Sequence, residues 1–244
     1  MSNPLFYGAV VALDRNAHAG LRLKVEGPRF GFARGAHLVP ALAEEFETAS
    51  ADLPIAFLPG TKRPSPVFVA GLTPGRSLMV TEEGAWRGRY VPAYLRRYPF
   101  IIGETAGEGD ATQALLCIDD SFAGLHEKGG AALFAEDGQP SQATQEALAL
   151  SEGYRRGALQ TDAFCDRLQE LNLLNSVTLD IKRADGSSSS VHGLLTIDRA
   201  AFDALPDEVF LSLRKAGYLA PIYAHFHSLG ALEQLSARLG VEAA

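Results

Sequence analysis

VTLDIKRADGSSSSVHGLLTI, residues 177–197, is the stretch that decides the fold class. Val177, Leu179 and Ile181 alternate with Thr178, Asp180 and Lys182, the period of a strand with one face buried. Asp185-Gly186 is turn chemistry, and residues 191–197 return as a second apolar run. The stretch therefore predicts an antiparallel hairpin with a Ser-rich, solvated connection.

Upstream, Pro140-Ser141 opens the longest helical pattern. Leu150, Tyr154, Ala158, Thr161, Cys165 and Leu168 follow at steps of three or four, and the pattern ends near Asn172. Gly153 and Gly157 cost this helix ~1 kcal/mol each relative to Ala, so they point to close packing or a bend. Downstream, Pro206-Asp207-Glu208 opens one helix, which Gly217 ends. A last helix begins near Pro221, with Ile222, Phe226, Leu229 and Leu232 on one face.

The N-terminal half is punctuated differently. The first 38 residues are short apolar pieces broken by Gly27-Pro28, Gly31 and Gly35, and read as short strands and loops. Residues 39–50 read as a short amphipathic helix, with Leu42, Phe46 and Ala49 inside and Glu44, Glu45 and Glu47 on the other side. Apolar runs at 55–58, 67–72, 77–80, 100–102 and 115–118 read as strands, and the link 103–110 as an exposed loop. The whole predicts an α+β fold: mainly an antiparallel sheet of short strands covered by helices, with a helix-rich C-terminal part. One domain over 1–244 is expected, with Asn172-Leu173-Leu174-Asn175 as its one candidate seam.

Composition bounds the function. The 244 residues are 47% apolar and 21% charged, enough for a substantial core without metals or disulfides. A formal charge of -7 argues against nucleic-acid binding. No stretch is long and apolar enough to insert in a membrane, and the first residues lack the pattern of a signal peptide, so the expected location is cytoplasmic. Cys117 and Cys165 read as small buried hydrophobes, although a bridge between them is open.

The common catalytic and phosphate-binding motifs are absent, and no cofactor, metal site or catalytic residue is expected. His225 and His227 lie on a helical pattern and point about 200° apart, so they do not chelate one ion; His225 falls on the packed face and His227 nearer solvent. Asp119-Asp120 ends an apolar run and reads as a turn and cap pair, with acid–base chemistry as the alternative.

The most unusual stretch is 86–99, WRGRYVPAYLRRYP. It carries four arginines and no acid, with Trp86, Tyr90, Tyr94 and Tyr98 spaced four apart. Arg offers a planar fork for carboxylate or phosphate, and Tyr a flat apolar face with a polar tip. Arg87, Arg89, Tyr94, Arg96, Arg97 and Tyr98 are therefore the candidate ligand-binding residues, for an anionic small molecule or a peptide. A structural reading stands beside this one. In it, Pro92 opens a short helix, the tyrosines pack on the sheet and the arginines pair with acids elsewhere.

The same stretch, YVPAYLRRYPF at 90–100, resembles the SapC family. FARGAHLVPALAEEF (32–46), LPIAFL (53–58), LLCIDD (115–120), LFAEDGQP (133–140), TDAFCDRLQELNLL (161–174) and IYAHFHSLGALEQL (222–235) extend the resemblance over nearly the whole chain. It implies an accessory role near bacterial surface-layer or outer-membrane nutrient-uptake systems, and it brings no catalytic residues. Three readings follow: a non-enzymatic binding protein, which the Arg/Tyr segment favours; an enzyme acting on a peptide or small metabolite; and a surface-assembly component. Oligomeric state is left open.

Overall fold

The computed structural model describes residues 4–24, 29–106, 112–126, 128–182 and 188–241. The fold is α+β, with antiparallel sheets. The hairpin forms as the alternation predicts, from β10 (Leu174–Lys182) and β11 (Ser188–Ile197), paired from Leu174↔Ile197 to Lys182↔Ser188. The register shifts between Val177 and Leu179, opposite Gly193 at φ +80°, a left-handed conformation that suits glycine at a bulge. The expected turn at Asp185-Gly186 lies outside the described residues.

The hairpin is the edge of a five-stranded sheet. β11 pairs with β4 (Ile55–Leu58), β4 with β5 (Ser65–Val69) and β5 with β3 (Leu38–Pro40). A second sheet places β7 (Thr112–Asp119) between β1 (Val10–Ala12) and β6 (Phe100–Ala106). The third places β2 (Arg22–Leu23) between β8 (Leu125–His126) and β9 (Ala131–Ala132).

The helices are α1 (Phe46–Ala49), α2 (Ala93–Arg96), α3 (Gln142–Glu170), α4 (Arg199–Asp203), α5 (Asp207–Lys215), α6 (Leu219–Ser228) and α7 (Ala231–Val241). Ser141 caps α3 by accepting the Thr144 N–H. Gly157 brings α3 close to the segment before α1: a Cβ there would stand 2.9 Å from Leu42 Cδ1 and 2.7 Å from Glu44 Oε1. Thr161 completes the contact, donating to the Gly157 carbonyl and accepting the Ala43 N–H at 2.9 Å. α6 is stitched to the large sheet at two points. The Ile197 N–H donates to His225 Nε2 at 3.1 Å, and the Ile55 N–H donates to Ser228 Oγ at 3.0 Å. His225 is thus a packed core histidine, and His227 is exposed.

Two apolar cores result. The larger centres on Phe46, Phe57, Phe68 and Phe164, each fully buried and worth about 1.5–3 kcal/mol. The smaller comprises Leu23, Phe100, Ile118, Leu133 and Phe134. Leu173, in the expected seam, is buried in the larger core, and Asn172 takes φ +52° in the turn from α3 into β10. Both cysteines are buried and free.

Five local expectations change. Residues 39–50 are not one helix: Leu38–Pro40 is a strand, followed by a 3-10 turn at Ala43–Glu45 and then α1. The cause is Pro40, whose ring drives Val39 out of the α region. Residues 77–80 form no strand; Ser77 N–H donates to Arg34 O and Leu78 N–H to Ala70 O, and only an isolated bridge joins Val80 to Trp86. In the expected loop 103–110, residues up to Ala106 belong to β6 and 107–110 lie outside the described residues. The last helix divides at Leu229-Gly230 into α6 and α7, and α4 forms at residues for which no helix was read.

Candidate functional site

The Arg/Tyr segment is a loop closed on itself and then a single helical turn. Trp86 Nε1 donates to the Tyr90 carbonyl at 2.7 Å, and Pro92 is the residue before α2. The exposed N–H groups of a first turn need acceptors. Glu45 supplies one from 48 residues away: its Oε1 accepts the Ala93 N–H at 2.7 Å and the Tyr90 hydroxyl at 2.8 Å. Its Oε2 accepts the Leu42 N–H at 2.9 Å. Burial pushes the Glu45 carboxyl above its ordinary value, against these hydrogen bonds, which pull it down. The sequence placed Glu45 on the solvent side, and the structure corrects this: it is buried. Spacing held the signal, because 42, 45, 46 and 49 share one helical face.

Arg96 is fixed beside that network. Its Nε donates to the Val91 carbonyl at 3.0 Å, its Nη2 to the Tyr90 hydroxyl at 3.1 Å, and its guanidinium lies 5.5 Å from the Tyr90 ring centre. Burial, with Glu45 adding to it, pushes the Tyr90 phenol up to about 12.

Arg97 is the unusual residue. It is 8% exposed, and no carboxylate oxygen among the described residues lies within 4.0 Å of its guanidinium. Its Nε is buried and has no hydrogen-bond partner among the described residues. Instead the cation lies 4.0 Å from the ring centre of Tyr154, 4.4 Å from that of Tyr94 and 5.9 Å from that of Tyr7. Each such contact is worth ~0.5–2 kcal/mol, whereas removing a lone ion from water costs several. Burial pushes the phenols of Tyr7 and Tyr154 upward, which keeps them neutral beside the cation.

Tyr98 faces a second aromatic group, Phe32 at 4.2 Å and Tyr7 and Phe122 at 5.1 Å between ring centres. Its hydroxyl donates to Asp119 Oδ2 at 3.0 Å. Asp119 is fully buried and also accepts the N–H groups of Gly8, Ala9 and Ser121 and the Ser121 hydroxyl. Burial raises its pKa, but the hydrogen bonds outweigh that and hold it at about 2. The turn reading of Asp119 stands, and Asp120 is exposed.

Of these residues, Arg96, Arg97, Tyr98, Phe32 and Phe122 line a cavity of 420 Å³. Leu95 to Phe100 form one wall, and the α3 face of Ala143, Glu146, Ala147 and Leu150 the other. One turn further along α3 stands Tyr154, the ring against Arg97. Phe30, Phe32 and Phe122 line the interior, while Lys24 and Arg29 join Arg96 and Arg97 as its cations; Glu146 is the one acid of the described lining. Tyr94 lies against Arg97, with its hydroxyl donating to the Leu5 carbonyl at 3.1 Å.

Arg87 and Arg89 are elsewhere. Arg89 is an exposed partner of Asp52, whose Oδ2 also accepts the Arg89 N–H at 2.6 Å. Arg87 donates to the Leu78 carbonyl at 3.3 Å and borders a different hollow, with Arg34 and Arg76. The segment thus divides: Arg96 and Arg97 line the cavity, and Arg87 and Arg89 do not. Phe32 and Phe122 join the cavity lining, and Tyr7 and Tyr154 the rings around Arg97, from distant sequence, beyond local reading.

A family model described as SapC matches residues 13–235. The chain belongs to the SapC family. No curated protein matches it. No solved structure matches it. The matched SapC region contains the cavity's described lining, from Leu23 to Leu150, and both apolar cores. Among the described residues of this SapC chain, no group of three His, Cys, Asp or Glu side chains is placed to hold a metal ion. No described helix is long and apolar enough to cross a membrane.

Proposed function

We propose that this chain is a non-enzymatic binding protein that holds a small anionic ligand in the cavity beside Arg96 and Arg97. The observation that carries the reading is Arg97: a buried cation with no carboxylate partner among the described residues, at the wall of a 420 Å³ cavity. Three tyrosine faces offset part of its desolvation, and an entering anion would supply the rest. The described lining carries four cations and one acid in a chain whose formal charge is -7, which concentrates attraction for an anion there. Binding is favoured over hydrolysis because the described lining has no Ser, Cys, His or Asp, and Asp119 is saturated by five donors. In the setting that the family resemblance implies, such a protein would serve a surface or nutrient-uptake system as an accessory.

The test is a thermal-shift panel of small anions, phosphate, benzoate and decanoate, on wild type, Arg97→Gln and Arg89→Ala. At least one anion should raise the melting temperature of wild type and of Arg89→Ala, and not that of Arg97→Gln. If no anion stabilises the protein, or if Arg97→Gln responds as wild type does, the reading fails.

A further inference from the structure

The cavity's apolar surface says more about the ligand than its charge does. We propose that the ligand is a carboxylate carrying an apolar body, an alkyl or aryl acid, a proposal that rests on the anion-binding reading above. Phe30, Phe32, Phe122 and Leu150 line the space beyond the arginines, so a ligand that is polar throughout would leave them facing its polar atoms. The guanidinium of Arg97 has the rings of Tyr94 and Tyr154 close against it. Its Nε has no hydrogen-bond partner among the described residues, and the planar fork of an arginine matches the two oxygens of a carboxylate. Arg96, already bonded through Nε and Nη2, adds charge from a fixed position without reorganising. A volume of 420 Å³ is in the range of small-molecule sites and exceeds what a bare inorganic anion would fill.

This assignment predicts a particular dependence of affinity on structure. Each CH₂ added to the acid should tighten binding roughly fourfold until the cavity is full, because burial of the chain supplies the affinity. The carboxylate should add at least about tenfold over the matching alcohol, as expected for a charge-assisted pair.

The experiment is isothermal titration of the full chain with hexanoate, octanoate, decanoate, 1-decanol and inorganic phosphate. Wild type should bind decanoate about 16-fold more tightly than octanoate, bind decanol at least tenfold more weakly than decanoate, and bind phosphate more weakly still. Ala147→Phe, which fills the apolar wall and leaves Arg97 in place, should lose decanoate while keeping any response to phosphate. Arg97→Gln should lose decanoate's advantage over decanol; if the Gln variant does not fold, Arg97→Lys, which keeps the charge and removes the planar fork, should shrink that advantage severalfold, and an unchanged advantage would overturn the role of the fork. Phosphate as tight as decanoate would overturn the ligand class and leave the anion-binding reading standing. Decanol as tight as decanoate, or affinity independent of chain length, would overturn the class as well. Failure of every anion would remove both.

Discussion

Asp119 and His225 are two buried titratable groups, and the fold holds both below their ordinary pKa, Asp119 through its hydrogen bonds and His225 through burial. Asp119 is held at about 2, below its ordinary 3.8, by five donors. A folded pKa below the unfolded one gives stability that is present above pH 3.8 and lost as pH falls through 2. That component is worth about 2 kcal/mol. Urea denaturation of wild type should show it between pH 4 and 2. Asp119→Asn, which removes the titration and sets an amide against backbone N–H groups, should lack it and be about 1–3 kcal/mol less stable at pH 7. Burial pushes His225 down to about 4, while its Nε2 accepts the Ile197 N–H. The unfolded chain takes up this proton first, so stability is full above pH 6.5 and declines as pH falls toward 4, by about 3 kcal/mol. His225→Gln should flatten the slope of stability against pH in that interval. The roles of both residues were half legible. Sequence placed His225 on a packed face and Asp119 in a turn, and local spacing explains the Ser121 contact. Gly8 and Ala9 are more than a hundred positions from Asp119, so no local pattern points to them.

Among the elements, α2 shows how a short segment is held by distant residues. Four residues make a helix too short to persist alone, so its geometry comes from what satisfies its ends. Glu45 does this at the N-terminus and at the same time fixes Tyr90, which fixes Arg96. Glu45→Ala strands two backbone N–H groups and a phenol, and should cost on the order of 3 kcal/mol in chemical denaturation. The turn that carries Glu45 is itself tied to α3 by the Ala43 N–H donating to Thr161 Oγ1. Thr161→Val keeps shape and removes the acceptor, so it should cost about 1–3 kcal/mol, with the loss read from the urea midpoint. Elements with long periodic patterns, α3 and the β10–β11 hairpin, were legible because periodicity is a property of the segment. Residues 77–80 were misread as a strand because an apolar run does not reveal whether a neighbouring strand has free edge groups to pair with it.

For the whole molecule, ligand occupancy is a stability measurement. At a hundred times its dissociation constant, a ligand bound only to the folded chain adds about 2.7 kcal/mol, or roughly 5–10 °C in melting temperature for a chain of this size. Decanoate at that excess should produce such a shift, and Arg97→Gln should not show it. The class of fold was legible in the sequence, and local contrast marked Arg96, Arg97 and Tyr98, which line the cavity. The cavity itself could not, since its walls come from β2, α2 and α3, which nothing in local sequence brings together.

Those walls also come from both apolar cores. Phe30 and Leu95 belong to the larger, Leu23 and Phe100 to the smaller. The cavity is thus an unfilled joint between two blocks, and a guest in it is mortar. Filling the joint should slow amide exchange at Ile118 and Leu133, in the smaller block and off the cavity wall, as much as at the wall itself. A protein built this way would report a bound ligand through the rigidity of core residues that the ligand does not touch.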